Sequence, residues 1–211
     1  MQLTPKVKEI LSWYESDNPG TKANIARILM EGRLGGTGRM VILPVDQGFE
    51  HGPARSFAAN QAAYDPRYHF ELAIEAGLNA YAAPLGMIEA GASTYAGAIP
   101  TILKVNSSNS LAGPSIKDQA VTGGVDDALR LGCSAIGFTI YPGADDVFDM
   151  MEEIKEMRAE AASVRIATVI WSYPRGQYVA AKGGQNSFYA IDYAARMAME
   201  MGADIAFENP R

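Results

Sequence analysis

The chain alternates between short, continuously apolar runs and longer stretches of helical period. The apolar runs are Met40–Pro44, Ala80–Ala83, Thr101–Val105, Ala135–Ile140, Ile166–Ser172 and Ile205–Phe207. Most are apolar at consecutive positions rather than alternate ones, and β-branched residues are frequent in them. That pattern predicts strands covered on both faces, the condition of a parallel sheet. Between them lie helical patterns. Pro66–Ala76 stops at Gly77, which suits a left-handed helix end. Asp145 and Asp146 stand where a helix begins, at the positive end of its dipole. Val147, Met151, Ile154, Arg158 and Ala161 then form one stripe, broadened by Phe148 and Met157. Ile191, Ala194, Ala195, Ala198 and Met201 form another, ending at Gly202. The segment before Met40 reads as one or two leading helices, with residues 24–31 the clearer.

Strand–helix alternation implies right-handed crossovers and a parallel sheet. A doubly wound sheet and a (β/α)8 barrel both satisfy this. The dinucleotide-binding version of the former places a glycine-rich turn directly after its first strand. Here Gly35, Gly36 and Gly38 precede the strand, and the polar segment Asp46–Gly52 follows it. Polar residues at the ends of several different strands are a barrel pattern. A whole barrel takes about 250 residues, and about six strands fit in this chain. The expected fold is therefore α/β, an incomplete TIM (β/α)8-type barrel of about six β/α units. It is expected to form one domain over residues 1–211, with a helical extension at 1–39.

Composition narrows the function. The chain is 48% hydrophobic and 20% charged, with a net charge of −6. Its lysines and arginines are scattered, with no basic stripe, so nucleic acid is not an expected partner. No apolar stretch approaches the ~20 residues of a membrane span. The single cysteine, Cys133, excludes an internal disulfide and reads as a small buried hydrophobe, which points to a cytoplasmic setting. The two histidines, His51 and His69, cannot make a three-histidine metal site. No ligand spacing supports another kind of metal site, so no metal or cofactor is expected.

Candidate chemistry collects after the strands. Asp46 follows the first, Lys104 and Asn106 lie in or after the third, and Tyr141 follows the fourth. The fifth leads into Trp171-Ser172-Tyr173-Pro174-Arg175-Gly176. In a parallel barrel these ends share one face, so Asp46, Lys104, Tyr173 and Arg175 are expected to converge over the mouth. Each has a plainer reading. Asp46 can cap a turn, Lys104 can snorkel outward, Tyr173 can be a core aromatic, and Arg175 can be a solvated charge. Pro174 and Gly176 would stiffen the turn that aims Tyr173 and Arg175, with Trp171 as a flat wall. For carbon–carbon bond chemistry, a lysine amine is a more natural electron sink here than zinc.

Val45-Asp46-Gln47-Gly48-Phe49-Glu50-His51-Gly52-Pro53 resembles the Asp-x-Gly-x-Glu-His-Gly element of bacterial and archaeal class I fructose-bisphosphate aldolases. Ile102–Asn106 and Trp171–Gly176 are similar to two further elements of that family, in matching order. The similarity runs from about Thr4 to Asp204. It implies a metal-independent TIM-type barrel that cleaves fructose 1,6-bisphosphate into dihydroxyacetone phosphate and glyceraldehyde 3-phosphate, usually as a homo-oligomer. It also implies Tyr173 as the proton-transfer group and Asp46 as a ligand of substrate hydroxyls that assists acid–base steps. Trp171 would shape the site, Arg175 and Lys104 would hold anionic or polar groups, and His51 would support the first loop.

One departure stands out. The family carries its Schiff-base lysine on the sixth strand, after a Gly-Ala-Asp or Gly-Ala-His lead. Gly202-Ala203-Asp204 supplies the lead, but Phe207 or Asn209 stands where the lysine is expected, and no lysine follows Lys182. The residues after Asp204 are read as a truncated or frameshifted end, and little Schiff-base catalysis is expected of this chain. Two other functions fit the residues: a related lysine-dependent sugar-phosphate aldolase or synthase, and a non-catalytic barrel fragment.

Overall fold

A computed structural model describes residues 2–112 and 118–207. Six parallel strands form one sheet in strict chain order. They are β1 (Ile42–Pro44), β2 (Ala80–Pro84), β3 (Thr101–Lys104), β4 (Ala135–Ile140), β5 (Ala167–Ser172) and β6 (Ile205–Phe207). Sequential order with every neighbour parallel is barrel topology, and the sheet is a curled portion of one. A two-stranded hairpin, Asn106–Ser107 with Ala120–Val121, stands after β3.

The helices begin where side-chain oxygens can cap them. Thr4 caps α1 (Pro5–Ser12), Asn18 caps α2 (Pro19–Met30), Asp65 caps Pro66–Glu75, and Ser187 caps Phe188–Glu200. The first three carry proline at the first helical position, where its missing N–H costs nothing. The Pro66–Glu75 helix closes at Gly77, which has φ +66°. Asn79, wholly buried, joins α2 to the sheet. Its amide donates to the Ile28 and Glu31 carbonyls at 3.1 and 2.8 Å, and its Oδ1 accepts from Val41 N–H at 2.8 Å. The Glu31 carbonyl just past the helix end is thereby satisfied, and the Ile28 carbonyl gains a donor besides Glu31 N–H.

The strands' two-residue period divides the core in two. Outward positions such as Tyr81, Leu103, Ile136, Phe138 and Ile170 pack beneath the outer helices. Inward positions Ile42, Ala80, Ala82, Ile102, Ala135, Ala167, Val169 and Ile205 form a separate cluster with Val7, Ile10 and Leu11 of α1 and Ile25, Ile28 and Leu29 of α2. The leading helices therefore plug the concave side of the sheet.

Two sequence expectations are corrected. The segment after β1 is not a plain loop: it winds into two short helices, Gln47–His51 and Pro53–Phe57. Phe148 does not broaden the packed stripe of the Val147–Ser163 helix; it is 73% exposed, and Met150 is buried instead. Phe148 stands a full 100° around the helix from the buried Val147. The remaining anchors, Ile154 and Ala161, are buried as the pattern predicts. Cys133 is a buried free thiol, raised from its ordinary pKa by burial. No helix among the described residues is long and apolar enough to cross a membrane.

Candidate active site

The inward alternation that builds the apolar floor continues upward and turns polar. Beyond Ile102 on β3 comes Lys104. Beyond Ala135 on β4 come Gly137 and Thr139. Beyond Val169 come Trp171 and Tyr173, and beyond Ile42 come Pro44 and Asp46. Register ties Lys104 to Gly137, Thr139 to Trp171, and Trp171 to Phe207. The result is a cavity of about 530 Å³ at the strands' trailing ends. Asp46, His51, Lys104, Trp171, Tyr173 and Arg175, the six residues selected from sequence, all line it. Glu50, Tyr141, Thr139 and Gln185 line it too.

Lys104 lies at the centre of the polar wall. It is 4% exposed and does not snorkel outward; its Nζ lies 2.6 Å from Asp46 Oδ2 and 3.0 Å from Glu50 Oε1. Asp46 occupies the cap position of the Gln47–His51 helix without making a cap bond. Its carboxylate serves the lysine instead. The sequence pattern does not single out Glu50, because Asp46–Gly52 reads as a polar loop and only a helical turn sets it beside Asp46. Once the turn is helical, the four-residue spacing of Asp46 and Glu50 brings both acids to one side. Among the described residues, Lys104 is the only lysine lining the cavity.

Trp171 is seated by its neighbour on β4. A side chain at Gly137 would overlap the indole ring, so the bare backbone there makes room for it. Across the next strand, Trp171 and Phe207 have ring centroids 6.1 Å apart. Tyr173 N–H donates to Ile140 O at 3.0 Å, extending the β4–β5 ladder by one bond. Arg175 follows, its N–H donating to Pro142 O at 3.1 Å. Its guanidinium lies 5.6 Å from the Tyr173 ring centroid and donates to Gln185 Oε1 at 2.8 Å. Gly176 (φ +117°) and Gly143 (φ +97°) cross so closely that a side chain at either would overlap the other strand's trailing backbone. The Tyr-Pro-Arg-Gly turn is thus clasped to the loop after β4, which fixes the direction of Tyr173 and Arg175.

Other candidates have structural roles. Asn106 exchanges two hydrogen bonds with the Thr139 backbone, at 2.8 and 2.7 Å, and so acts as a substitute strand partner for β4. His69 is buried, with Nε2 2.8 Å from Ala63 O. His51 is half exposed at the rim, its Nε2 3.9 Å from Glu50 Oε2. Phe207 occupies the inward sixth-strand position beside Trp171, and Asn209 lies outside the described residues.

A curled parallel sheet with a buried lysine–carboxylate cluster and a clasped tyrosine at its mouth defines a β/α-barrel protein with a polar pocket at the strand ends. The profile of the DeoC/LacD family aldolases matches residues 40–207. This chain belongs to the DeoC/LacD aldolase family. It is 38% identical over 167 residues to the class 1 fructose-bisphosphate aldolase of Thermoproteus tenax, covering 79% of this chain and 60% of that protein. With a probable class 1 fructose-bisphosphate aldolase of Chlamydia trachomatis the identity is 39% over 165 residues, 78% of this chain and 47% of that one. The crystal structure of an archaeal fructose 1,6-bisphosphate aldolase superposes with a TM-score of 0.75 at 34% identity, over 87% of this chain and 68% of its own. The chain spans about half to three-fifths of the length of these curated relatives.

Proposed function

We propose that the cavity is the sugar-phosphate site of a class I fructose-bisphosphate aldolase framework, whose full reaction is reversible cleavage of fructose 1,6-bisphosphate to dihydroxyacetone phosphate and glyceraldehyde 3-phosphate, and that this chain supplies the binding half of that site. The observation that carries the reading is the meeting of Asp46, Lys104, Trp171, Tyr173 and Arg175 around one opening in a chain of this family. One archaeal relative was solved with its catalytic lysine covalently bound to the carbinolamine intermediate of its substrate.

In this reading Tyr173 is the proton-transfer group, and Asp46, ion-paired with Lys104, binds a substrate hydroxyl and assists acid–base steps. Arg175 supplies positive charge for an anionic substrate group, Lys104, already paired with two carboxylates, holds a polar one, and Trp171 forms the apolar wall beneath the ligand. His51 supports the rim. The Schiff-base amine itself is not among these roles. The inward position on β6 holds Phe207, which has no nucleophilic atom and no dissociable proton, and Lys104 is engaged by two carboxylates. The chain therefore holds sugar phosphate without forming the covalent intermediate. A homo-oligomeric assembly in the cytoplasm belongs to the same reading.

Two measurements test it. Calorimetric titration with fructose 1,6-bisphosphate is expected to show binding, and its absence would sink the aldolase assignment. Borohydride reduction with dihydroxyacetone phosphate, followed by intact-mass analysis, is expected to leave the 211-residue chain unlabelled. A stable adduct mapped to Lys104 would reassign the nucleophile to that residue.

A further inference from the structure

Tyr141 lines the cavity but has no part in the roles above. It stands one residue past the end of β4, packs partly against the apolar cluster beneath the outer helices, and borders the cavity from there. Its hydroxyl oxygen accepts a hydrogen bond from Gln119 Nε2 at 2.8 Å. Gln119 is 2% exposed, and its Oε1 has no hydrogen-bond partner among the described residues. A buried amide paired at only one end is uncommon in a folded protein. Here the paired end serves the phenol.

The direction of that bond decides what Tyr141 can do. The amide N–H is given to the phenol oxygen, so the phenol's own proton points elsewhere. The charged groups that face the hydroxyl are Glu50, Arg175 and Asp46, all on the cavity wall. Burial, and then the Glu50 carboxylate, push the Tyr141 phenol up to about 12. It therefore keeps its proton throughout the neutral range and acts as a donor, not a base.

We infer that Tyr141 is a specificity-determining donor, giving its hydroxyl proton to a carbonyl or hydroxyl oxygen of the ligand, and that Gln119 is a positioning residue acting through it. The identity of that ligand as a sugar phosphate rests on the function proposed above. The donor assignment rests on the Gln119–Tyr141 geometry.

The test is calorimetric titration of the whole chain with fructose 1,6-bisphosphate, dihydroxyacetone phosphate and unphosphorylated fructose. Wild type is compared with Tyr141→Phe, Gln119→Leu and the double variant. Tyr141→Phe is expected to weaken binding about 5- to 10-fold, the worth of one hydrogen bond to a neutral partner. Gln119→Leu alone is expected to weaken it about 3-fold, and to add nothing in the Tyr141→Phe background. The double variant removes both buried partners together, so it guards against loss of fold from a stranded amide. Unchanged affinity in Tyr141→Phe, with wild type binding sugar phosphate, overturns the inference and leaves the aldolase reading standing. Additive losses from the two substitutions overturn the positioning role, because a merely structural glutamine would weaken binding independently. If wild type binds fructose alone, with the same dependence on Tyr141, the donor stands and the sugar-phosphate reading falls. Failure to bind any of the three overturns both.

Discussion

Replacing Asp204 by asparagine should stabilise this protein at neutral pH, and the gain should vanish in acid. Asp204 sits at the leading end of β6, largely buried, with its Oδ2 accepting from Thr168 N–H at 2.6 Å and its carbonyl accepting from the Tyr14 hydroxyl at 2.7 Å. Burial raises its carboxyl from 3.8 to about 6; the Thr168 N–H opposes this, Asp17 adds to it, and Arg158 opposes it more weakly. The folded form thus binds the proton more tightly than the unfolded chain does. Stability is highest below about pH 4 as far as this group is concerned, and falls as the pH rises through 6. At about 1.4 kcal/mol per tenfold change in ionisation constant, the interval bounds the cost at about 3 kcal/mol above pH 7. Residual solvent contact reduces the expected gain to about 1–2 kcal/mol. Asparagine keeps the acceptor for Thr168 and loses the charge. Urea melts of both proteins at half-unit steps from about pH 3.5 to 8 are the assay. The variant's advantage should grow between about pH 4 and 6.5 and then level off. An advantage independent of pH, or a variant weaker at every pH, would refute the argument that an uncompensated buried carboxylate is the cause.

Three further outcomes follow from the geometry. Lys104→Met leaves Asp46 and Glu50 facing each other without their cation, and should cost about 3 kcal/mol in a denaturant melt while abolishing calorimetric binding of fructose 1,6-bisphosphate. Gly176→Ala meets the Gly143 carbonyl at a positive φ, so it should lower the melting temperature and reduce ligand affinity at least tenfold, because the turn bearing Tyr173 and Arg175 must shift. Asn79→Ala removes three hydrogen bonds, two to the end of α2 and one to Val41 N–H before β1, and should cost about 3 kcal/mol without changing the affinity of the folded fraction.

What the sequence could reveal follows from what depends on local pattern. Ala135–Ile140 and Ile205–Phe207 are strands at the bounds their apolar runs suggest, and the other four differ by one or two residues. With the strands placed, parity alone brings Asp46, Lys104, Trp171 and Tyr173 to one face, which is why residues far apart in the chain could be grouped. Parity says nothing about segments beyond the strands. Glu50 joins the lysine only because the residues after Asp46 coil into a helical turn. Gln185 and Gln119 reach Arg175 and Tyr141 from loops whose paths depend on tertiary packing. The place of α1 and α2 inside the concave face was equally hidden, because an amphipathic helix carries no record of which apolar surface it will meet.

That placement of α1 and α2 gives the curled sheet a closed floor. A small molecule that enters where the strands finish meets that floor rather than a through channel. The base, sealed by Val7, Ile10, Ile25, Ile28 and Leu29, keeps bulk water from reaching Lys104 and its two acids from below. Stripping away the first thirty residues would lay bare Ile42, Ala80, Ile102 and Val169 together, and the charged cluster above them would lose its dry footing along with its support.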